Sequence, residues 1–254
     1  MSSEYLENVR RQRPVVHTIT NYVTANDCAN LLLAAGASPI MADAPEETAQ
    51  IAAMADAVVL NLGTLSVSKR EAMLLAGKAA AAADRPIVLD PVGVGTSDFR
   101  RETAKMLLAE VHPTVIRGNR SEIRALLTGE TGERGVDTAD LSEDGAETAR
   151  LLAKQTGAVV MQTGETDLVT DGEQILHVQG GNELLVIRPE GLFIGSRTST
   201  IVNAVLCAAL LCSDHHFPKH IRGIAVKNPR RRNADLADLS GREGHVVNDQ
   251  LPWE

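Results

Sequence analysis

The chain has 254 residues, of which 44% are hydrophobic and only 2% are aromatic, and its formal net charge is −8. This length suits one large α/β domain or two small ones, and the apolar fraction is large enough for a packed core, which excludes wholesale disorder. The negative charge and the scarcity of aromatic rings argue against attraction to phosphate backbones and against base stacking. We therefore expect no nucleic-acid partner.

The cysteine content and the apolar runs indicate the compartment. Cys28, Cys207 and Cys212 are too few and too irregularly spaced for a disulfide framework or a zinc site, and free thiols are typical of a reducing cytoplasm. The beginning of the chain carries no apolar signal segment. The longest nearly apolar run, 201–212, is shorter than the roughly 20 residues that span a membrane. We expect a cytoplasmic protein that does not enter a membrane.

Short β-branched runs alternate with Ala- and Leu-rich stretches through the first 185 residues. Because the strands are continuously apolar and are separated by helices, they predict a largely parallel central sheet with helices on both faces, which is an α/β fold. The Asp171-Gly172 pair, between strands at 167–170 and 174–178, predicts a β-hairpin. The other predicted strands are 15–19, 38–41, 57–60, 86–89, 114–116 and 158–161, and the clearest helices are 27–35 and 69–83.

Polar and glycine-rich segments follow these strands where the strands themselves are apolar. Functional side chains of parallel sheets sit at the carboxyl ends of the strands, so six such ends together predict a ligand crevice rather than ordinary turns. The segments are 20–21, 41–43, 61–64, 90–95, 117–119 and 163–164.

Two acidic residues in these segments are candidates for the metal side of a phosphoryl-transfer site. Asp90 ends a buried strand, and Glu122 begins the helix after the next strand. Magnesium binds through few carboxylates together with substrate phosphates, and these two would supply them. The alternative is structural, with Asp90 in a turn and Glu122 in a capping box with Asn119.

Further candidates concern the two substrates. Arg117 suits a bidentate contact to phosphate oxygens, and the Thr163 hydroxyl could hold a nucleotide phosphate. Asn21 could hydrogen-bond a small heterocycle on which Met41 packs, although a lone methionine is more often a core residue. The chain has neither a Walker A motif nor a dinucleotide-binding glycine motif, so nucleotide binding would use another mode.

Four segments taken together, 17–30, 36–47, 89–95 and 114–119, resemble the hydroxyethylthiazole kinase family, and the resemblance extends over about residues 12–185. That family phosphorylates the alcohol of 4-methyl-5-(2-hydroxyethyl)thiazole in thiamine salvage. The resemblance implies a ribokinase-like fold, a homotrimer with active sites between subunits, ATP as the phosphoryl donor and Mg²⁺ as the cofactor.

The same resemblance assigns roles residue by residue. Met41 matches the family's thiazole-contacting methionine, and Asn21 lies in the matching N-terminal loop. Arg117 and Thr163 match ATP contacts, and Asp90 and Glu122 match the acidic residues on the magnesium side.

The chain departs from the family after Leu185. A motif close to (Thr/Ser)-Gly-Thr-Gly-Cys should open a helix there, but the sequence reads Val186-Ile187-Arg188-Pro189. That motif supplies the anion hole and the residue that acts on the substrate hydroxyl, so no catalytic residue is matched. A frameshift explains the change better than divergence does, with a genuine variant tail as the alternative. We expect a kinase-family core at 1–185 and a divergent segment at 186–254, with a helix at about 198–212 followed by a loose tail.

Three functions are compatible with the sequence. The leading hypothesis is a hydroxyethylthiazole kinase, impaired by the loss of the anion-hole motif. The alternative is a non-catalytic protein that keeps the thiazole pocket, and a weaker one is another small-alcohol or vitamin kinase.

Overall fold

The computed structural model describes residues 2–129, 145–164 and 166–179. Helices and strands alternate over residues 2–128, and three consecutive strands follow the helix at Gly145–Thr156. The strands are β1 (Val15–Ile19), β2 (Ser38–Ile40), β3 (Ala57–Asn61), β4 (Ile87–Asp90), β5 (Val115–Asn119), β6 (Val159–Thr163), β7 (Thr166–Thr170) and β8 (Ile175–Gln179). The helices are α1 (Ser2–Gln12), α2 (Ala25–Ala35), α3 (Pro45–Met54), α4 (Val67–Ala82), α5 (Asp98–Glu110), α6 (Arg120–Thr128) and α7 (Gly145–Thr156), with a short 3₁₀ turn at Val94–Thr96.

The eight strands form one sheet in the order β2-β1-β3-β4-β5-β6-β7-β8. All pairs from β2 to β6 are parallel, and β7 and β8 add an antiparallel edge. The predicted α/β fold is confirmed. The predicted hairpin is also confirmed, but its turn has four residues, because Oδ1 of Asp171 accepts hydrogen bonds from the backbone N–H groups of Glu173 and Gln174.

Local signals set several helix ends. The Ser66 side chain caps α4 by accepting a hydrogen bond from the N–H of Lys69. Asn119 and Glu122 form a capping box at the start of α6. Gly36 ends α2 in the left-handed conformation (φ +96°), which an L side chain rarely adopts.

Both faces of the sheet are covered, and the alternation along each strand separates two sets of core residues. On one face Val59, Val88 and Val115 pack with residues of α1 and α2. On the other face the neighbouring residues Leu60, Leu89 and Ile116 pack with residues of α3 to α7. Strands that are buried on both faces explain why the sequence reads as continuous apolar runs.

The strand order reverses between β1 and β3. The chain passes from β1 outward to β2, then returns to place β3 on the other side of β1. In open α/β sheets the connecting segments diverge at such a point and leave a crevice at the carboxyl ends of the two strands. The fold therefore places the segments that follow Ile19 and Asn61 around a crevice.

None of the helices in the described part of the chain is long and apolar enough to cross a membrane. The predicted boundary at 185, the helix at 198–212 and the tail that follows it lie outside the described residues.

Candidate functional site

Polar side chains form a row across the sheet at the carboxyl ends of three adjacent strands. Asn61 of β3 is paired in register with Asp90 of β4. Val88 of β4 is paired with Val115 of β5. Asp90 lies two residues after Val88 and Arg117 two residues after Val115, so the side chains of Asp90 and Arg117 are neighbours on the same face of the sheet. Asn61, Asp90 and Arg117 are all at most 1% exposed. The row consists of buried polar groups, which have to satisfy one another.

Both polar atoms of the Asn61 side-chain amide form hydrogen bonds, and these connect Asn21, after β1, with Asp90, at the end of β4. Its Oδ1 accepts hydrogen bonds from the Gly63 N–H at 2.9 Å and from Nδ2 of Asn21 at 3.3 Å. Its Nδ2 donates to Oδ2 of Asp90 at 2.7 Å. The amide orientation is fixed, because only an oxygen can accept from the Gly63 N–H and only the nitrogen can donate to the carboxylate.

Asp90 is fully buried, and its charge is only partly compensated. Burial raises the pKa of this carboxyl to about 6, against the lowering effects of Arg117 and of the hydrogen bond from Asn61. The nearest guanidinium nitrogen of Arg117 lies 4.0 Å from Oδ2. The other oxygen, Oδ1, has no hydrogen-bond partner among the residues that the structure describes. A buried carboxylate oxygen in this position is suited to an incoming donor or cation.

Glu122 joins two of the strand-end segments. Its Oε1 accepts from the Gly93 N–H at 2.9 Å, and its Oε2 accepts from the Asn119 N–H at 2.8 Å. Burial and the charge of Asp90 raise the pKa of Glu122 to about 7, whereas these two hydrogen bonds lower it. The capping role weighed as the alternative is therefore present, and the carboxylate still lies close enough to Asp90 for the two charges to interact.

The donors fit a hard divalent cation. Mg²⁺ prefers carboxylate oxygens and water, and usually takes one or two protein carboxylates together with substrate phosphates. Oδ1 of Asp90 has no partner among the described residues, and the carboxylates of Asp90 and Glu122 are buried close enough for their charges to interact. No group of three or more His, Cys, Asp or Glu side chains is placed for a metal within the described ranges, so this pair would act with water and phosphate oxygens.

The predicted nucleotide residues lie on β5 and β6. Arg117 is 1% exposed, and its guanidinium group lies beside Asp90 in the protein interior. Thr163 is partly buried at the end of β6, and its hydroxyl donates to the Gly118 carbonyl at 3.4 Å. Asn119 is the strand partner of Thr163, which places the hydroxyl beside the start of α6. Their phosphate contacts stay predictions.

The loop after β1 is held in place by its own hydrogen bonds and by a buried lysine. Oδ1 of Asn21 accepts from the backbone N–H groups of Val23 and Thr24, both at 3.0 Å. The Lys69 ammonium donates to the Thr20 carbonyl at 2.7 Å and lies 4.0 Å from the centre of the Tyr22 ring. Asn21 therefore directs its Nδ2 towards Asn61, and its contact to a heterocycle stays a prediction.

Met41 lies just beyond β2, partly buried against the core face that carries α1 and α2. His17, fully buried in β1, donates from Nε2 to the carbonyl of Ala42, the next residue, at 2.8 Å. Burial lowers the pKa of His17 against the raising effect of this hydrogen bond. The ring thus fixes the segment that carries Met41.

Sequence reasoning gave no role to Asn61, Lys69 or His17. Asn61 stood in a predicted strand end, but its contact with Asp90 requires the order of the strands. The position of Lys69 indicated a specific partner, because a positive charge in the first turn of a helix is unfavourable with respect to the helix dipole. His17 was a polar residue inside an apolar strand, which indicates a specific partner.

The sequence profile of the hydroxyethylthiazole kinase family matches residues 6–224, a longer range than the predicted 12–185. A hydroxyethylthiazole kinase of Methanocella arvoryzae is 51% identical over 183 residues, which are 72% of this chain and 69% of that protein. The chain spans 69%, 63% and 74% of three curated relatives of that name.

Solved structures agree with these sequence matches. A hydroxyethylthiazole kinase protein from Pyrococcus horikoshii superposes with a TM-score of 0.71 at 38% identity, over 84% of this chain and 77% of that chain. A ribokinase-like superfamily protein of Enterococcus faecalis superposes with a TM-score of 0.52 at 14% identity, over 89% of this chain and 78% of that chain. The second likeness concerns the fold alone, and it confirms the predicted ribokinase-like architecture.

Proposed function

Since the chain belongs to the hydroxyethylthiazole kinase family, we propose that it transfers the γ-phosphoryl group of ATP to the hydroxyl of 4-methyl-5-(2-hydroxyethyl)thiazole. The observation that carries the proposal is the polar row, which runs without interruption from Asn21 through Asn61 to Asp90 and Arg117. It joins the loop matched to the acceptor alcohol with the strands matched to the nucleotide. The curated relatives are named as kinases, which favours this activity over a non-catalytic thiazole binder.

The acceptor end of the site is formed by Asn21 and Met41. We propose that Met41 gives the thiazole ring an apolar, polarizable surface and that the Asn21 loop closes over its polar edge. Lys69 and His17 fix these two segments through the carbonyls of Thr20 and Ala42. Holding the alcohol at a fixed place removes part of the entropic barrier to transfer.

The donor end is formed by Arg117 and Thr163, with Asp90 and Glu122 beside them. We propose that Arg117 and Thr163 contact ATP phosphates and that Asp90 and Glu122 hold Mg²⁺ or its water shell. When bound, Mg²⁺ would neutralise charge on the transferring phosphoryl group. Two observations support this arrangement: Oδ1 of Asp90 has no partner among the residues that the structure describes, and the charges of the two carboxylates interact.

The missing Gly-Thr-Gly-Cys motif sets the expected rate. One lost anion-hole donor typically costs about 10² to 10³ in rate, so we expect slow turnover with the binding steps retained. Binding and turnover therefore have to be measured separately.

The test combines calorimetry with a coupled assay for ADP formation. We expect the thiazole alcohol to bind and to stimulate ADP formation, and 5-ethyl-4-methylthiazole, which lacks the hydroxyl, to bind without stimulation. Pyridoxal, another vitamin alcohol, should do neither. Absence of heat with the thiazole alcohol on folded protein would refute the proposed function. Binding without any ADP formation would identify the non-catalytic alternative, and preference for pyridoxal would indicate another vitamin kinase.

We also propose a homotrimer with sites between subunits. Tyr22 and Val23, next to Asn21, are 69% and 81% exposed, an apolar exposure that a neighbouring subunit would cover. Light scattering coupled to size exclusion would check the trimer, and a monomer that binds the alcohol would contradict it.

The need for ATP supports the cytoplasmic location predicted from the cysteines.

A further inference from the structure

Asn61 is the one side chain of the row in the described part of the chain that contacts both the acceptor loop and the metal-side carboxylate. It is fully buried, and its side-chain hydrogen bonds in the described structure all lie inside the site, to Gly63, Asn21 and Asp90. We propose that Asn61 is a positioning residue that fixes both the Asn21 loop and the Asp90 carboxylate. The inference rests on the proposed function, since it gives the two ends their roles.

Asn61 determines which oxygen of the Asp90 carboxylate is left for a ligand. Asn61 Nδ2 donates to Oδ2 at 2.7 Å, so this oxygen has its partner and the carboxyl plane is fixed at the end of β4. Oδ1 then stays without a partner in the described structure and is the oxygen left for a ligand. Without Asn61 the Asp90 carboxylate would be free to rotate and present either oxygen to the crevice. A cation that binds would then have to fix the orientation of the carboxylate, and its affinity would be lower.

On the acceptor side, the segments that follow β1 and β3 approach each other closely. A Cβ on Gly63 would lie 2.7 Å from both Cβ of Asn21 and Oδ1 of Asn61, so the three groups are packed without spare room. The Gly63 N–H and the Asn21 amide both donate to the same Asn61 oxygen. Asn61 therefore connects the strand ends at the point where the strand order reverses.

The two atoms of the amide can be separated by substitution. Asn61→Asp keeps an oxygen for Gly63 and Asn21 but replaces the donor to Asp90 with a second carboxylate oxygen. Asn61→Leu has nearly the same shape and removes every hydrogen bond. Asn21→Ala removes the acceptor-side contact to Asn61, together with the hydrogen bonds that Oδ1 of Asn21 accepts from Val23 and Thr24, and leaves the contact between Asn61 and Asp90 in place. Asn8→Ala is the matched control, because Asn8 is also a buried asparagine but lies in α1 and bonds to Arg11.

Each variant is titrated by calorimetry with two probes that do not react together, ADP in the presence of Mg²⁺ and the thiazole alcohol. We expect Asn61→Asp to weaken Mg²⁺-dependent ADP binding at least tenfold and to change the affinity for the alcohol less than threefold. Asn61→Leu should weaken both, Asn21→Ala only the alcohol, and Asn8→Ala neither. A structural role alone would lower the melting temperature of all buried-asparagine variants without this division between probes.

The outcomes separate the two proposals. If the wild-type chain binds ADP with Mg²⁺ but not the alcohol, the proposed function fails, and the ADP measurement on Asn61→Asp still decides the role of Asn61 towards Asp90. If the wild-type chain binds both probes and Asn61→Asp binds ADP as tightly as the wild type or more so, only the inference on Asn61 is overturned. It is also overturned if the wild-type chain binds neither probe.

Discussion

The ammonium group of Lys69 donates a hydrogen bond of 2.7 Å to the backbone carbonyl of Thr20. Lys69 belongs to α4, 49 residues further along the chain, and is only 1% exposed. Thr20 lies between the last residue of β1, Ile19, and Asn21. A buried lysine is rare and costly, so its position indicates that the carbonyl needs this partner. The contact ties the start of α4 to the loop after β1.

We predict that Lys69→Met loosens this loop. Methionine fills the same apolar space but leaves the Thr20 carbonyl without its donor, a loss of about 1–3 kcal/mol that removal of a buried charge partly offsets. The expected result is a small change in the free energy of unfolding with a several-fold weaker affinity for the thiazole alcohol. Calorimetry and urea unfolding would measure the two quantities.

Lys78→Met is the matched control for this change. Lys78 lies on the same helix and pairs with Glu110 where both side chains are about half exposed, and such pairs contribute less than about 1 kcal/mol. Its affinity for the alcohol should equal that of the wild type. Equal affinities in both variants would show that Lys69 does not hold the acceptor loop.

A second prediction concerns Asp90 and pH. The folded-state pKa of Asp90 is about 6, above its ordinary value of 3.8, because burial disfavours the charge. The folded state therefore binds a proton more tightly than the unfolded state, and this contribution to stability is present below about pH 4 and is lost as the pH rises to 6. Asp90→Asn should abolish phosphoryl transfer. It should also raise the free energy of unfolding relative to the wild type, by an amount that is on the order of 3 kcal/mol larger at pH 8 than at pH 4.

Chemical unfolding at the two pH values in the absence of Mg²⁺ measures this effect. Asp98→Asn, at an 86% exposed side chain, is the control and should shift stability by less than about 0.5 kcal/mol at either pH. A variant that keeps wild-type turnover in the coupled assay would disprove the assignment of Asp90. Equal stability changes at pH 4 and pH 8 would show that the buried charge is compensated in some other way.

His17 gives the opposite dependence on pH. Burial lowers its pKa below 6.5, so the folded state resists protonation more than the unfolded state. Its contribution to stability is complete above pH 6.5 and decreases as the pH falls. His17→Gln, which keeps a donor for the Ala42 carbonyl and does not titrate, should lose less stability than the wild type between pH 7 and pH 5. His177→Gln, at an exposed histidine of β8, is the control, and an unchanged slope in His17→Gln would contradict the prediction.

Gly63 has no room for a side chain. Its added Cβ would lie 2.7 Å from the Asn21 Cβ and from the Asn61 Oδ1, so Gly63→Ala should push the two asparagines apart. We expect at least tenfold weaker binding of the thiazole alcohol, and a loss of stability of about 1–3 kcal/mol from overpacking. Gly164→Ala is the control, because the one described atom that a Cβ there would approach is the Thr166 carbonyl oxygen, at an ordinary contact distance of 3.5 Å. Wild-type affinity in Gly63→Ala would mean that the loop adapts without loss.

The sequence alone predicted the sheet well for a physical reason. Strands buried on both faces are largely apolar, so a polar residue marks where such a strand ends, as Asn61 does for β3 and Asp90 for β4. Antiparallel pairing at the far edge also followed from local turn chemistry around Gly172. These features depend on neighbours in sequence.

What could not be predicted depends on distant neighbours. The hydrogen bond from Asn61 to Asp90 spans 29 residues and exists because β3 and β4 are adjacent and in a particular register. The contact from Lys69 to Thr20 spans 49 residues and crosses from a helix to a strand end. Neither the order of strands nor their register is contained in the apolar pattern, so the roles of Asn61 and Lys69 required the three-dimensional structure.

The alternation of side chains along β3 makes the site sensitive to a change in strand length. Asn61 shares a face with Val59, and its neighbour Leu60 packs on the opposite face with α4. Deletion of a single residue within β3 would turn Leu60 towards Asp90 and Asn61 towards the apolar side, because a shift of one residue exchanges the two faces. Natural chains with this site should therefore vary in the lengths of their connecting loops but keep the number of residues in β3 constant.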